Sequence, residues 1–581
     1  MPLFDFHAHF SFKPANSRNF LTDMMPDADH WNERFKRKAD HSALAGVDND
    51  VVKSSQLHGN SATAGGFRVI CNGLYPLEQG FTSALLNKPL ATLTGFSPEV
   101  LQDIYARKQS YFQHMEREYT NLIVNQNKTR FSTAGNSYRV VDSYAEIERT
   151  LANAPDTLCI VNSIEGAHAF GDNFFDRLGK PVSIAREEGK FLRRVGQRDG
   201  DSWFELYIEG MIANIDKMTT TWEHTPLFVT MAHHYYNHLC GHSPSLTNMV
   251  HLFLPQSGGA PNAQGFDTNY FFLGIRPWGK RIIAHLLRRR NSRGEPVRRV
   301  LIDAKHMSPQ ARLDYYEIVD MRMAAQDPIP IVVSHTAVSG RRDMRATIAN
   351  DNNLLPGEKD RSRFFYNGII NLFDDEIVRV VKSDGLMGLM IDERRIMGDS
   401  IPPEAGITKA NFDTRAKANR REMRDWTTAK QQHAWGDIDD AALAQKLDTV
   451  HRARAPLLND LRPAYLSVVF RQIFHILDLV GTPAEPAKGW NHLSLGTDYD
   501  GVINPIDIYP QSADMKDLKR DLVNFWNATC QHPDPAIAQL YTDHRFGKST
   551  ASLIEKLLWS NGMEFLRKYY HDGYLVNGVV G

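Results

Sequence analysis

The stretch FDFHAHF, residues Phe4–Phe10, carries two histidines one residue apart in a strand-like apolar run. Alternate side chains of a β-strand share one face, so His7 and His9 point to the same side and can bind one cation. Such an opening strand is typical of binuclear metallohydrolase barrels. Two neighbouring histidines are also a common coincidence, and the prediction of a metal site therefore depends on partners further along the chain.

The composition is that of an ordinary globular protein. The 581 residues are 42% hydrophobic and 23% charged, which is enough to bury a large core. Lys+Arg number 67 and Asp+Glu 68, so the formal net charge is -1 and the chain lacks the positive field that would hold nucleic acid or an anionic membrane. We therefore expect a small-molecule partner, with neither nucleic acid nor a membrane.

The four cysteines lie far apart, at Cys71, Cys159, Cys240 and Cys530. Without a Cys-x-x-Cys spacing they indicate neither a zinc ribbon nor a disulfide scaffold, and they fit a reducing compartment. We find no apolar run of the length that a bilayer requires, and the first residues resemble a core strand more than a signal peptide. These patterns predict a cytoplasmic protein.

Short apolar or β-branched runs alternate with helical patterns, which predicts a parallel sheet wrapped by helices. Seven runs are strand candidates: Leu3–Phe6, Leu158–Ile164, Leu227–Ala232, Val300–Asp303, Ile329–Ser334, Leu386–Ile391 and Leu493–Gly496. Nearly every run ends at or just before a side chain suited to metal binding or catalysis: His7, Glu165, His233, His306, His335 and Asp498. In a closed (β/α)8 barrel the carboxyl ends of all strands meet on one rim. The sequence therefore predicts an α/β fold, a TIM-like (β/α)8 metallohydrolase barrel with large loop and helical insertions.

Glu165 and Asp498 each have a second interpretation. Glu165 could be a loop acid or a helix cap, but a carboxylate that emerges from a buried strand has to be paired or metal-bound, because an unpaired one is costly to desolvate. Asp498 lies in GTDYDG, residues 496–501, which could be a simple turn or could deliver a general base from the last strand. His306 and His335 are separated by one strand-helix-strand step, so consecutive strand ends can supply a second metal.

The order of these strand ends resembles that of the renal dipeptidase family, also called membrane dipeptidases or peptidase family M19, within the amidohydrolase superfamily. Five stretches carry the resemblance: CIVNSIEGAHAFG (159–171), GIRPWGKRIIAHLL (274–287), VLIDAKHMS (300–308), VVSHTAVSG (332–340) and LSLGTDYDG (493–501). The similarity extends from His7 to about Tyr570, with large interruptions.

The resemblance implies two divalent metal ions, most simply Zn²⁺, and a role for each matching residue. The implied metal ligands are His7 and His9 for the first ion, Glu165 as a bridge, and His306 and His335 for the second ion. Asp498 would lie beside the bridging water as the catalytic base. His233 would contact the substrate and hydrogen-bond the oxygen on which charge develops, although its neighbour His234 is an alternative for this position. The implied reaction is cleavage of the amide bond of a dipeptide by a metal-bridging hydroxide.

Two positions depart from the family's pattern. The family usually has His-x-Asp on its first strand, whereas His9 stands here, so the first site would carry less negative charge and its metal affinity would change. The family also has an arginine for the substrate carboxylate just before an Asn that matches Asn371, but Ile370 precedes Asn371 here. Arg341 and Arg342 remain as candidate substrate-binding residues, with solvated loop positions as the equally good alternative.

Three functional classes follow. The first is a zinc-dependent dipeptidase, and the second is a related amidohydrolase acting on a non-peptide amide, ester or lactone. The third is a barrel without catalysis that serves as a binding or scaffold protein, since a fold alone does not establish a function.

The chain is much longer than the roughly 250 residues of a typical barrel. We expect the barrel to comprise residues 1–392 and 463–581, and residues 393–462 to form a mainly helical insertion that acts as a lid or an oligomer contact. The polar residues from about 20 to 65 form a second insertion after the first strand. A homodimer is compatible with these extra segments.

Overall fold

The structure is a computed structural model that describes residues 2–16, 29–30, 32, 55–82, 96–129, 131–173, 183–184, 188, 190, 203–245, 272–291 and 293–581. Its centre is a parallel sheet. The described strands are β1 Leu3–Ala8, β2 Phe67–Leu74, β3 Tyr138–Val141, β4 Leu158–Glu165, β5 Phe228–Thr230, β6 Leu301–Asp303, β7 Val332–Thr336, β8 Leu386–Leu389 and β9 Leu493–Leu495.

The strands follow the order β1-β2-β4-β5-β6-β7-β8-β9, and β3 pairs with β4 outside this path. The two ends of the path meet, because the Asp498 amide donates to the His7 carbonyl at 2.8 Å and the His9 amide donates to the Tyr499 carbonyl at 2.9 Å. Eight strands thus form a nearly closed parallel barrel, and the predicted (β/α)8 fold is confirmed.

Burial explains the composition of the strands. Every residue of β1 and of β4 is buried, as parallel strands covered on both faces require. The strand β2 was not identified from the sequence because Arg68, Asn72 and Gly73 interrupt its apolar run, FRVICNGL. The short strand β3 was not identified either.

Helices surround the barrel and join its strands. The described α-helices are Phe12–Ala15, Gly59–Gly65, Pro98–Ala106, Tyr111–Asn125, Tyr144–Asn153, Trp203–Thr221, Pro277–Leu286, Pro309–Ala324, Met344–Ala349, Glu358–Arg361, Asp374–Lys382, Glu393–Ile396, Lys409–Ala434, Asp440–Val480, Leu518–Thr529, Pro535–Asp543, Thr550–Glu555, Asn561–Tyr569 and Asp572–Leu575. Short 3-10 helices cover Gln79–Phe81, Ala167–Phe170, Pro403–Ala405, Lys488–His492 and Ser512–Asp517, and a π-helical turn covers Lys556–Ser560.

Two long helices occupy the region of the predicted insertion. The helix Lys409–Ala434 packs against the helix Asp440–Val480, and Arg454 Nε donates to Asn419 Oδ1 across the pair at 2.9 Å. Most of the buried residues of Asp440–Val480 lie after Leu461, so the predicted boundary at residue 462 falls inside a continuous helix. The division into barrel and insertion stays a prediction, as does the role of a lid or oligomer contact. Most of the predicted insertion at residues 20–65 lies outside the described residues.

Among the described residues, the helix Asp440–Val480 is long and apolar enough to cross a membrane, although the sequence analysis identified no such run. However, 67% of its most apolar window is buried inside the protein. A core helix has the same composition, so the helix is weak support for a membrane span. The cytoplasmic location stays a prediction.

Candidate metal centre

The structure brings the seven strand-end residues of the predicted metal and catalytic set to one end of the barrel. They are His7, His9, Glu165, His233, His306, His335 and Asp498, all buried. These residues come from β1, from β4 to β7 and from the segment after β9. Their convergence follows from the parallel topology, which brings all strand carboxyl ends to the same rim.

Glu165 lies at the middle of the cluster. Its Oε2 is 2.8 Å from His9 Nε2 and 3.3 Å from His233 Nε2. Its Oε1 is 3.4 Å from His7 Nε2 and 3.5 Å from His306 Nε2. His335 Nε2 lies 3.8 Å from the same Oε1, so this oxygen faces three rings and Oε2 faces two.

Asp498 is the second carboxylate of the cluster. Its Oδ1 lies 3.4 Å from His9 Nε2 and 3.7 Å from His7 Nε2, and its Oδ2 lies 3.8 Å from His335 Nε2. Both Asp498 and His306 have positive φ angles, 59° and 65°. Non-glycine residues adopt this region at a cost, and such positions concentrate at functional sites.

Hydrogen bonds fix the orientation of several imidazole rings. His9 Nδ1 is 3.1 Å from the Gly73 carbonyl and His335 Nδ1 is 2.9 Å from Ser334 Oγ. Because each of these rings is held through Nδ1, its Nε2 is directed to the cluster. Gly73 also makes room for the rings, since a Cβ at this position would lie 3.0 Å from His7 Cε1 and 3.1 Å from His9 Cε1.

Several polar atoms of the cluster are buried without a hydrogen-bond partner among the described residues. They are both ring nitrogens of His7, His9 Nε2, Glu165 Oε1, His306 Nδ1 and Asp498 Oδ1. An unsatisfied buried polar atom costs about 1–3 kcal/mol, and native structures contain few of them. Imidazole nitrogens and carboxylate oxygens that lack partners fit the ligand set of divalent metal ions.

Two groups of these residues have ligand atoms close enough to hold a cation. In the first group, His7, Glu165, His335 and Asp498 each offer one ligand atom, and these atoms lie within 4.8 Å of one another. In the second group, His233, His234 and His306 meet the same criterion. The arrangement can therefore hold divalent metal, and the identity of the metal is a separate question.

Burial and neighbouring charges shift the pKa values of the cluster in different directions. Burial opposes ionisation of Glu165, but the charges of His233, His9 and His7 hold the pKa of this carboxyl well below its usual value. Burial lowers the pKa of His306 to about 3, so its ring is neutral at pH 7. Burial raises the pKa of Asp498, against the opposing effect of the neighbouring His9 ring. Burial lowers the pKa values of His9 and His233, but the neighbouring carboxylates outweigh it and raise both. Because neutral imidazole and ionised carboxylate are the forms that coordinate cations, Glu165 and His306 are ready to bind metal, whereas His9 and His233 would release a proton on binding.

Glu78 and a metal role for His234 were not predicted from the sequence. Glu78 Oε1 accepts from the His234 amide at 3.1 Å and lies 2.9 Å from His233 Nδ1. Glu78 follows β2, the strand that the sequence pattern did not reveal, so no signal pointed to it. His234 forms a His-His pair with His233 after β5, and this pair is the sequence feature that could have indicated a metal role for it.

Lys305 and Arg395 are buried cations near the cluster that sequence reasoning also missed. The Lys305 Nζ has no hydrogen-bond partner among the described residues. Burial, reinforced by the charge of Arg395, lowers the pKa of Lys305 to about 7, and the Asp498 carboxylate acts in the opposite direction. The Arg395 guanidinium lies over the Tyr366 ring at 5.6 Å, and the side chain is 5% exposed. Both cations follow strands of the barrel, β6 and β8, and therefore lie toward the same rim.

The structure does not bring Arg341 or Arg342 into the cluster. The Arg341 guanidinium donates to the backbone carbonyls of Asn367, Asn352 and Asn353, so it stabilises the surrounding loop. The Arg342 amide donates to Glu358 Oε1 at 2.8 Å. A substrate-binding role for either arginine stays a prediction.

Asp5 and Asp303 tie neighbouring strands together below the cluster. Asp5 accepts from the Thr497 amide at 2.9 Å and from Thr497 Oγ1 at 2.6 Å, which joins β1 to the segment after β9. Asp303 Oδ2 accepts from Ser334 Oγ at 2.6 Å, and Ser334 Oγ in turn contacts His335 Nδ1. Asp303 therefore positions His335 through Ser334.

The chain is thus a (β/α)8 barrel with a candidate metal centre at the carboxyl ends of its strands. No family model matches the chain, and no curated protein matches it. Solved structures similar to it include a metallopeptidase of family M19 described as dipeptidase AC, with 13% identity, a TM-score of 0.40 and coverage of 98% of this chain and 99% of that one.

Two further solved structures are similar over almost the whole chain. The probable dipeptidase PvdM from Pseudomonas aeruginosa has 15% identity and a TM-score of 0.41, with coverage of 95% of this chain and 96% of that one. A metallopeptidase from Rhodobacter sphaeroides, liganded with a phosphinate mimic of the dipeptide L-Ala-D-Ala, has 13% identity and a TM-score of 0.38, with coverage of 98% and 99%. The first of these structures is described as a member of the family that the sequence motifs resemble. Identities and TM-scores this low carry no argument about function, which depends on the site itself.

Proposed function

We propose that the protein is a metal-dependent hydrolase with two divalent cations, most simply Zn²⁺, that cleaves the amide bond of a dipeptide or a similar small amide. The observation that carries this proposal is the cluster of two carboxylates and five imidazoles with unpartnered buried atoms at one rim of the barrel. Mixed nitrogen and carboxylate ligands suit zinc, and catalytic zinc sites use the same residue types.

The chemistry of the reaction follows from the two carboxylates. Two divalent ions held by the cluster would lower the pKa of a coordinated water and polarise the scissile carbonyl. Asp498 is the proposed base, because its Oδ1 faces the cluster and lacks a hydrogen-bond partner among the described residues. It would accept a proton from the attacking water and later deliver it to the leaving nitrogen. Glu165 would stay ionised between the two groups of ligands.

His233 has two candidate roles. The sequence resemblance implies that it donates a hydrogen bond to the substrate oxygen on which negative charge develops. It can serve in this way only if its Nε2 is not already bound to a cation. That nitrogen lies 3.3 Å from Glu165 Oε2, at the edge of the cluster.

Lys305 and Arg395 support a substrate that carries a negative charge. Both are buried, and Lys305 Nζ lacks a partner among the described residues. A buried charge without a partner is costly, so an anionic group of the substrate would relieve this cost. The terminal carboxylate of a dipeptide is such a group. Lys305 and Arg395 are therefore candidates for the substrate carboxylate in addition to Arg341 and Arg342.

A second candidate function is hydrolysis of a non-peptide amide, ester or lactone. His9 favours it, because a neutral imidazole replaces the carboxylate of the dipeptidase pattern and its Nε2 lies 2.8 Å from Glu165 Oε2. The first ion would then carry a higher effective charge, which changes the acidity of its water and the leaving groups it can support.

A substrate panel separates the candidates. The metal-loaded protein would be assayed with dipeptides, with the matching dipeptide amides that lack the terminal carboxylate, and with lactones and esters. We expect cleavage of dipeptides and a loss of about 1.5–3 kcal/mol of binding, roughly 10–100-fold in kcat/KM, when the carboxylate is removed. Preferred cleavage of lactones or esters would support the second candidate. Absence of all turnover with both ions bound would leave a binding or scaffold protein.

A further inference from the structure

We propose that His233, His234 and His306 form a three-histidine site for a first-row divalent transition-metal ion, and that this is the second cation of the centre. The inference rests on the proposed function, since it names the ligands of one of the two ions. It differs from the ligand set implied by the sequence resemblance, in which His335 joins His306 and His234 is not a metal ligand.

Two of the three rings are already fixed for metal binding. His233 Nδ1 lies 2.9 Å from Glu78 Oε1, and His234 Nδ1 lies 2.6 Å from Ser245 Oγ. Metal-binding histidines commonly hold their second ring nitrogen in this way, which selects the tautomer and leaves Nε2 for the ion. His234 Nε2 is buried and has no hydrogen-bond partner among the described residues.

The three rings are close enough to share one ion. One ligand atom of each residue lies within 4.8 Å of the other two. The ring centroids are 3.7 Å apart for His233 and His234, 4.7 Å for His233 and His306, and 5.6 Å for His234 and His306. Nitrogens bound to one tetrahedral zinc are about 3.4 Å apart, so small ring rotations would complete the geometry.

Glu165 connects this group to the first group. Its Oε2 faces His9 and His233, and its Oε1 faces His7 and His306. Each oxygen therefore faces rings of both groups, so the carboxylate lies where it can contact both ions. His335 and Asp498 would stay with the ion on the β1 side, and His306, whose Nε2 lies 3.1 Å from His335 Nε2, would turn its ring toward His233 and His234.

The ligand chemistry of the second group defines the ion. Three imidazoles and one shared carboxylate suit Zn²⁺, Co²⁺ or Ni²⁺, whereas Mg²⁺ and Ca²⁺ prefer oxygen ligands. With its Nε2 bound to the ion, His233 would have no ring nitrogen left for the substrate, because Glu78 holds the other one.

The test uses the full chain, stripped of metal and titrated with Co²⁺. Binding is followed by visible absorption and by metal analysis after desalting. We expect two equivalents for the unchanged protein and one for His234→Phe, which keeps most of the ring volume. Ser245→Ala keeps the ring but removes the acceptor at Nδ1, and it should weaken the second equivalent by about 10–100-fold.

A matched control is His492→Phe. His492 is a buried histidine that precedes β9, at the opposite end of the barrel, and its Nδ1 lies 2.9 Å from the Gly385 carbonyl. This variant should keep both equivalents.

Each outcome decides between the two proposals. If His234→Phe binds two equivalents with unchanged affinity, the three-histidine site is wrong while the proposed function stands. If His234→Phe does not fold, Ser245→Ala decides, and an unchanged second affinity overturns the site. If the unchanged protein binds no divalent ion at all, the proposed function itself fails, and the site fails with it.

Discussion

The substitution Asp498→Asn separates a catalytic base from a metal ligand. The amide has nearly the same shape as the carboxylate, so the backbone bond from the Asp498 amide to the His7 carbonyl, 2.8 Å, stays available. Asn also tolerates the positive φ of 59° at this position. We therefore expect the variant to fold and to keep both ions, because Glu165 and the histidines remain.

The expected loss of activity follows from the role of the carboxylate. Removal of a general base typically lowers turnover by about 10²–10⁴-fold, which corresponds to roughly 3–5.5 kcal/mol in the barrier. Loss of a single ligand oxygen at 3.4–3.8 Å from three ring nitrogens should weaken metal binding far less, by about tenfold. The comparison of kcat with metal content therefore separates the two effects.

The assay is kcat and kcat/KM on the best substrate of the panel, with metal content measured on the same sample. The pH profile adds a second readout, because a base acts only when it is deprotonated and burial raises the pKa of Asp498. The unchanged protein should lose activity as the pH falls through this pKa. The variant lacks the titrating carboxyl, so its activity should not show this decrease. Asp534→Asn, at an exposed helix N-cap, is the matched control and should be active. Activity within tenfold of the unchanged protein, at full metal content, would remove Asp498 from the role of base.

Three further outcomes test other parts of the structure. Gly73→Ala should weaken metal binding by about 10–100-fold, because the new Cβ would lie 3.1 Å from His9 Cε1, and a Co²⁺ titration that matches the unchanged protein would contradict this packing. Thr497→Val removes the hydroxyl donor that lies 2.6 Å from Asp5 Oδ2, so the free energy of unfolding in urea should fall by about 1–3 kcal/mol. Thr497→Ser keeps the donor and should have nearly the stability of the unchanged protein. Equal losses in both variants would argue against the hydrogen bond. In the metal-free protein, the pKa of His306 is about 3 in the folded state against about 6.5 unfolded, so the folded state binds fewer protons and stability falls as the pH falls. Between about pH 7 and about pH 5, protonation of His306 in the unfolded state should lower the free energy of unfolding by about 2 kcal/mol. His306→Asn lacks this group, so its free energy of unfolding in urea should fall by about 2 kcal/mol less over the same range. An equal pH dependence of the two proteins would refute the low pKa.

The sequence predicted the barrel because its strands carry two signals at once. Runs such as LCIVNSI are apolar throughout, as strands buried on both faces must be, and each is followed by a polar side chain at the rim. The seven rim residues could therefore be named in advance. The strand β2 could not be identified in the same way, because Arg68 and Asn72 interrupt its pattern and its rim carries a glycine, Gly73, instead of a ligand.

Sequence patterns did not predict contacts between residues that are far apart in the chain. Glu78 contacts His233 across 155 positions of the chain, and no local spacing encodes that pairing. The contacts of Arg341 were also not predicted. Its position after the His335 motif suggested a substrate ligand, which stays a prediction, and in the structure its guanidinium donates to three backbone carbonyls of a neighbouring loop. Arginine carries five donors, and a loop with free carbonyls satisfies them as well as a substrate does.

The metal content of the protein, purified without a metal-affinity tag or chelator, tests the central claim most directly. Elemental analysis should find about two equivalents of zinc or a similar divalent ion per chain, because the cluster offers ligand atoms for two cations. Glu165→Gln should reduce this content, since Glu165 contacts both groups of ligands. Absence of bound metal in the unchanged protein, even after incubation with zinc, would contradict the proposed hydrolase and leave a binding or scaffold role.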